Sequence, residues 1–318
     1  MRVLRILGTV VVVLLVVLAG IYAWASHAAG RKLSRTYATH RVDFPIPFPV
    51  GKQEVRNAAA SDDTALTEAI ERGRHLVESR YGCGACHGSD FGGGVMIDNG
   101  AIGTLLGPNL TGGTGSVTLG YTAADWDRIV RHGVKRNGAP ALMPSHDFTQ
   151  MSDQELSDII VFIRSLPGVE KQVPPPALGP VGKVLVATGK FALSAAVIGS
   201  HDKPHAVTPP EPKVTIEFGR HMAGACMGCH RSDLGGGPIV GGDPAWPPAA
   251  NLTPGHGGLS EWTFTDFARA MQEGRRPDGT GLRPPMAELT AYTRKMTDVE
   301  LQALWSYLRS VPAVADRE

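Results

Sequence analysis

"ERGRHLVESRYGCGACHGSDFGGG", residues Glu71–Gly94, comes back later in the same chain as "EFGRHMAGACMGCHRSDLGGG", residues Glu217–Gly237. The echo continues outward from there. "NLTGGTG" (Asn109–Gly115) returns as "NLTPGHGG" (Asn251–Gly258), and "YTAADWDRIVRHGVKRNG" (Tyr121–Gly138) as "WTFTDFARAMQEGRRPDG" (Trp262–Gly279). "MSDQELSDIIVFIRSLP" (Met151–Pro167) returns as "MTDVELQALWSYLRSVP" (Met296–Pro312). The order is the same both times and the offsets stay between 141 and 146 residues, so the chain holds a tandem duplication of one domain.

Helical signals recur in each copy. Ser152 and Thr297 each precede a Glu three residues on (Glu155, Glu300), the capping-box arrangement that satisfies the free N–H groups of a first helical turn. Behind them Leu156, Ile159, Ile160 and Ile163, and Leu301, Leu304, Trp305 and Leu308, repeat at helical spacing, with Pro167 and Pro312 closing the segments. A second helix is predicted over Thr122–His132 and Thr263–Glu273, and a third ahead of each cysteine pair, over Thr64–Glu78 and Thr215–Met222. The Gly-rich stretches between them show no strand alternation. The expected fold class is all-α, and each copy has too few elements to bury a core without something in its middle.

The N-terminus is different in kind. "ILGTVVVVLLVVLAGIYAWA" (Ile6–Ala25) runs 20 residues without a charge, enough to cross a bilayer, and Tyr22 and Trp24 stand where an interfacial anchor belongs. A cleaved signal is the competing reading, because Ala23-Trp24-Ala25 resembles a small-x-small cleavage site. Arg2 and Arg5 before the span and Arg31, Lys32 and Arg35 after it leave the orientation open. The division expected is an anchor or signal over 1–30, an extended spacer over 31–60, a first domain over 61–170, a Pro-rich linker over 171–210 and a second domain over 211–318. "VDFPIPFPVGK" (Val42–Lys52) is assigned only a spacer role. In the linker, Val181–Gly199 is apolar but broken by Lys183, Lys190 and glycines, which suits a packed or interfacial helix. A net charge of +1 and no basic stripe with interleaved aromatics argue against a nucleic-acid partner.

All 4 cysteines fall in two Cys-x-x-Cys-His clusters: Cys83, Cys86, His87 and Cys226, Cys229, His230. A structural zinc site would want its pairs roughly 15–20 residues apart, a thioredoxin-type pair needs neither the His nor this helical frame, and disulfides leave the His unexplained. Cys-x-x-Cys-His is the haem c attachment signature: two thiols add to the porphyrin vinyls and the adjacent His turns onto the iron. Two such clusters at matching positions imply two covalently attached haem c groups, with His87 and His230 as metal ligands. For the opposite face, Met143 and Met286 each lie 56 residues past their cluster histidine, on Pro-flanked loops. The bland reading makes them core gap fillers, as Met151 and Met296 are read here. His146 could compete with Met143 but has no counterpart in copy two. His75 and His221 match one another and are read as packing rather than ligation.

The cysteine clusters, the Asn-Leu-Thr loops, the Pro-flanked methionines and the closing "TDVELQALWSYLRSVP" (Thr297–Pro312) resemble class I cytochrome c domains. The whole chain resembles a membrane-anchored, tandem-domain dihaem cytochrome c. That resemblance implies that the first and last helices cross with a small residue against an aromatic, which Gly73 with Phe162 and Gly219 with Tyr307 match. It implies that a loop carbonyl at Pro108 receives the proximal imidazole N–H. Ala250 stands there in copy two, which weakens the inference for that copy. Asn109 and Asn251, formally glycosylation sequons, become haem-side loop residues. The function implied is electron transfer and not catalysis, with no catalytic residues: single electrons pass from a membrane or periplasmic donor to an acceptor such as a terminal oxidase. The partners expected are a membrane dehydrogenase, a cytochrome bc-type complex or a terminal oxidase, and a place as a subunit of a larger redox complex is also expected. The haem domains are expected on the periplasmic or outer face of a bacterial cytoplasmic membrane, held by residues 6–25 in a single pass. The alternative is a dihaem peroxidase, which would need one open iron. A haem-based sensor would need a signalling domain, and a thiol-ligated sulfur-oxidising enzyme a fifth cysteine.

Overall fold

The computed structural model describes residues 2–48, 62–239, 245–315 and 317. A long helix α1 (Arg2–Leu33) opens the chain. The first domain begins with α2 (Asp62–His75), which runs into one π-helical turn, Leu76–Arg80, and then α3 (Gly84–His87). A hairpin of β1 (Gly94–Asn99) and β2 (Gly103–Gly107) follows, then α4 (Ala123–His132), a 3-10 turn at Ser145–Phe148 and α5 (Asp153–Ser165). The linker contributes β3 (Ala177–Leu178), α6 (Pro180–Thr188) and α7 (Ser194–Val197). The second domain repeats the plan with α8 (Ile216–Ala223), a 3-10 turn at Gly224–Cys226, α9 (Met227–His230), α10 (Phe264–Glu273), α11 (Met286–Thr293) and α12 (Asp298–Ser310).

The expected caps are present. Ser152 and Thr297 form capping boxes with Glu155 and Glu300, and Thr122 and Thr263 do the same with Asp125 and Asp266. The apolar stripes these caps orient make two separate cores. One gathers Trp126, Leu156, Ile160, Phe162 and Ile163, and the other Phe218, Phe267, Leu301, Leu304 and Leu308. In each domain the first and last helices cross at a glycine. A Cβ on Gly73 would fall 2.1 Å from the Asp158 carbonyl oxygen, and one on Gly219 would fall 2.0 Å from that of Ala303, with the Phe162 and Tyr307 side chains next in line. Backbone cannot yield as a flexible side chain would. Gly73→Ala is therefore expected to cost about 3 kcal/mol, the upper end of overpacking. A denaturation midpoint within 1 kcal/mol of the unsubstituted protein would contradict this.

Several expectations change. The domains are largely helical, but the glycine-rich stretch after α3 is an antiparallel hairpin with Gly94 opposite Gly107 and Asn99 opposite Gly103, extended by β3 to a three-stranded sheet. Asn99 Oδ1 accepts from the N–H groups of Ala101 and Ile102 at 2.9 and 3.1 Å and so sets the turn. The alternation is broken in β1 by a bulge between Val95 and Ile97, and two of the three buried positions of β2 are glycines. Gly107 has a specific reason: its Cβ would lie 2.0 Å from the Cys86 carbonyl oxygen, so the strand runs hard against the cysteine cluster. The spacer reading is overturned. Phe44 is buried in the first core, Val42, Ile46 and Phe48 pack on it, and Ser157 Oγ donates to the Pro45 carbonyl at 2.9 Å. Apolar side chains on an extended strap gain more against a core than in water. Residues 49–52 of that segment lie outside the described residues. The first helix also continues to Leu33, past the expected boundary at 30.

Among the described residues, α1 is the one helix long and apolar enough to cross a membrane. Its foot is fastened to the linker. Ala25 and Ala29 are buried, and Ala29 joins Val186 and Leu193 in a small core of its own. Lys32 Nζ donates to the terminal carbonyls of α6 at Val186 and Ala187 (3.0 and 2.8 Å), and Lys183 Nζ donates to Tyr22 Oη at 2.8 Å. The apolar centre of the linker thus forms two packed helices, α6 and α7.

Candidate functional site

Each cysteine cluster is a single helical turn that presents both thiols and the following histidine to one cavity. His87 Nδ1 donates to the Pro108 carbonyl at 2.9 Å, and His230 Nδ1 donates to the Ala250 carbonyl at 2.7 Å. A backbone carbonyl needs no particular side chain, so Ala250 performs the task that Pro108 performs in the first copy. Burial lowers the pKa of both histidines, partly offset by these hydrogen bonds. Both rings are therefore neutral with the proton fixed on Nδ1, which leaves the Nε2 lone pair to bind a metal. Burial pushes the Cys83 and Cys226 thiols up to about 12 and Cys229 to about 11. Thiols held protonated in this way do not suit thiol–disulfide exchange, which runs on a thiolate.

The cavity has a volume of about 820 Å³, and one continuous space is lined by both clusters. Met143 and Met286 line it together with His87 and His230, and its walls are mostly apolar, among them Trp126, Ile163, Leu252 and Leu304. This space, two neutral imidazoles with free Nε2 atoms, four thiols and two thioethers suit two covalently bound porphyrins. The two methionines are held differently. Met143 sits on an irregular loop, where Ser194 Oγ of the linker donates to its carbonyl at 2.7 Å. Met286 is not on a loop, as its flanking prolines led one to expect, but is the first residue of α11, with Pro285 at the cap. His146, the rival to Met143, is engaged elsewhere: its Nδ1 lies 3.0 Å from Ser194 Oγ.

Asn109 and Asn251 fasten the loops. Asn109 Nδ2 donates to the Val169 carbonyl at 2.7 Å, while its Oδ1 accepts from the N–H and hydroxyl of Thr111 at 2.9 and 2.8 Å. Asn251 repeats this with Val314 and Thr253 at 2.9, 2.9 and 2.7 Å. Both side chains are buried, so the sequon reading is dropped, and each holds in place the loop whose carbonyl orients the cluster histidine.

The domains also reach over one another's clusters. A Cβ on Gly82 would be 3.5 Å from the ring of Tyr292 in the second domain. One on Gly228, between Cys226 and Cys229, would be 1.8 Å from Asp147 Oδ1 in the first. Burial raises the Asp147 pKa to about 6, opposed only by His146.

Motif reading missed the seam between the domains. His75 Nε2 donates to Glu300 at 2.9 and 3.0 Å, and His221 Nε2 donates to Glu155 at 2.8 and 3.0 Å. Each matched histidine thus bonds the capping-box glutamate of the other domain, a pseudo-twofold exchange. Arg80 lies between the two glutamates, on Glu155 Oε1 and 3.6 Å from Glu300. It has no repeat counterpart: the first copy carries three more residues between its histidine and its cluster, and these form the π-helical turn. That length difference was the one signal available in the sequence. Burial works to raise the Glu155 pKa, but the hydrogen bond from His221 and the charge of Arg80 outweigh it and hold the group at about 2. Glu300 is likewise held low against burial by His75, Thr297 and Arg80.

Residues 70–167 and 219–312 each match the sequence profile of the Cytochrome c family. A diheme cytochrome c-type protein of Cereibacter sphaeroides is 25% identical over 274 residues, covering 78% of this chain and 88% of that one. The cytochrome c subunit of a quinone alcohol dehydrogenase from Gluconacetobacter polyoxogenes is 27% identical over 286 residues, covering 81% of this chain and 59% of the subunit. The fructose dehydrogenase cytochrome subunit of Gluconobacter japonicus is 24% identical over 277 residues, 80% of this chain and 54% of its own. The chain therefore spans a little over half the length of these dehydrogenase subunits.

Proposed function

Because this chain belongs to the cytochrome c family and carries two covalently attached haem c groups, we propose that it is the electron-relay subunit of a membrane dehydrogenase, passing single electrons from one haem to the other and on to an acceptor. The observation that supports the relay is the shared cavity: both clusters line one mostly apolar space of about 820 Å³. Each bound haem supplies a one-electron Fe(III)/Fe(II) couple. The chain supplies the rest. Cys83 with Cys86, and Cys226 with Cys229, would hold the porphyrins by thioether bonds, and His87 and His230, aimed by the Pro108 and Ala250 carbonyls, would ligate the irons. Met143 and Met286, which line the same cavity, would offer thioether ligands, and thioether ligation favours the reduced iron. The apolar walls keep water away, which keeps the reorganisation on electron transfer small.

The relatives that are dehydrogenase cytochrome subunits favour a membrane dehydrogenase as donor. Helix α1 is the single-pass anchor, and haem attachment outside the cytoplasm puts residues after the span on the periplasmic or outer face; a bc-type complex or terminal oxidase fits the acceptor side. The peroxidase alternative finds no support among the relatives named above, which are a diheme cytochrome c-type protein and dehydrogenase cytochrome subunits, and Met143 and Met286 both line the cavity.

The dithionite-reduced protein, mixed with stoichiometric carbon monoxide, is expected to keep its visible spectrum, because both irons are closed. A carbon monoxide shift in half of the haem would expose one open iron and sink this reading.

A further inference from the structure

Away from the haem cavity, a cluster of histidines forms where the lead-in after α1, helix α4 and the linker meet. Asp127 and His132 come from α4 and are each 1% exposed. His40 comes from the lead-in, and His201 and His205 from the linker. The hydrogen bonds allow the protons to be counted. His205 Nδ1 lies 3.0 Å from the Thr149 carbonyl, His40 Nδ1 3.1 Å from the His201 carbonyl, and His201 Nε2 3.0 Å from the Ala195 carbonyl. A carbonyl only accepts, so each of these nitrogens carries the hydrogen, and a neutral imidazole has one N–H. In their neutral forms the other nitrogens of these three rings are lone pairs. His201 Nδ1 is 2.9 Å from His132 Nδ1 and must take its hydrogen from there. His132 Nε2 is then bare as well.

What these bare nitrogens face is each other. His132 Nε2 lies 3.2 Å from His205 Nε2 and 3.5 Å from Asp127 Oδ2, and His205 Nε2 lies 3.7 Å from Asp127 Oδ1. Asp127 Oδ2 is buried and has no hydrogen-bond partner among the described residues. A single added proton could bridge one pair of these atoms and would leave the others unmatched. A cation at their centre would satisfy all of them. Metal–ligand bonds of ~2.0–2.1 Å in a tetrahedron set neighbouring ligand atoms ~3.4 Å apart, close to the 3.2–3.7 Å between the atoms of His132, His205 and Asp127.

We propose that His40, His132, His205 and Asp127, whose ligand atoms all lie within 4.8 Å of one another, form a binding site for a divalent transition-metal ion of the Zn²⁺ class. Three imidazoles and one carboxylate, without thiolate, suit that chemistry. The outer supports are present too: the His201 ring and carbonyl orient His132 and His40, and the Thr149 carbonyl orients His205. The opposing charge of Arg131 is shared between Asp127 Oδ1 and Asp153 Oδ1, each at 2.7 Å. A cavity of about 670 Å³ lined by His132, Lys203 and His205 offers the ion a way in. The metal would tie the anchor's lead-in, the first domain and the linker together at one point.

The test uses the full-length, haem-loaded protein, stripped with chelator and dialysed to equilibrium against micromolar ZnCl₂. Elemental analysis is expected to find one zinc per chain beside two irons. His205→Ala, His132→Gln and the double variant Asp127→Asn/His205→Ala should each weaken zinc uptake at least tenfold. An unchanged reduced haem spectrum would show that these chains are folded; His205 lies outside any helix, so its variant keeps the test alive if His132→Gln fails to fold. Less than a tenth of an equivalent of zinc in the unsubstituted protein, or equal uptake by the variants, overturns the proposal.

Discussion

Replacing Cys226 and Cys229 together by serine is expected to halve the haem content, from two groups per chain to one, and to abolish the cooperative melting of the second domain while the first keeps its haem. The reason lies in the architecture. The core around Phe267, Leu301, Leu304 and Leu308 borders the cavity that both clusters share, and its helices are short. A group bound only by the folded domain contributes its binding free energy to folding. Without covalent attachment that contribution falls, and the apolar walls are left facing water. Pyridine haemochrome analysis reads the haem count, and circular dichroism melting reads the domain. Two haems per chain in the variant, or an unchanged second-domain melt, would refute the assignment of these cysteines.

The second large effect is expected at Arg80. Its side chain is 5% exposed and lies between Glu155 and Glu300, themselves 4% and 6% exposed. Removing one partner from a buried ionic group leaves charge without compensation, which costs about 3–5 kcal/mol. Arg80→Ala is expected to lose that much on denaturation, whereas Arg80→Met combined with Glu155→Gln and Glu300→Gln should recover most of it. A loss under 1 kcal/mol in the single variant would show that the seam does not depend on this arginine. The same carboxylates set a pH dependence. Both have folded pKa values below their unfolded ones, with Glu155 at about 2, so they stabilise the fold fully above the ordinary glutamate range. That stability is lost as pH falls from about 4.5, the ordinary value, toward about 2, and the Gln variant should not show the loss over that window.

The duplication, the capping boxes and the cluster histidines were legible in the amino-acid sequence, because each depends on residues a few positions apart or on a repeat comparison, whereas the glycine crossings were expected only from the resemblance to cytochrome c domains. The hairpin at Gly94–Gly107 was hidden because a bulge between Val95 and Ile97 breaks the alternation and its end glycines, Gly94 and Gly107, answer to a close backbone approach to Cys86. The lead-in at Val42–Phe48 was taken for a spacer because its prolines describe the backbone and say nothing of the core that Phe44 fills.

His75 and His221 illustrate the division most clearly. Repeat alignment matched them and left them as packing residues. Folding gives each the glutamate of the other domain, 225 and 66 residues away. The sequence by itself determined two haem-attachment domains and an apolar N-terminal helix, since covalent motifs, helix caps and hydrophobic length act locally. Only the tertiary structure decided that the two clusters open into one cavity, that Arg80 stands between two glutamates, and that the side chains of three histidines and Asp127 come within 4.8 Å of one another. Those relations arise from long-range packing, where burial turns modest charges and lone pairs into strong constraints.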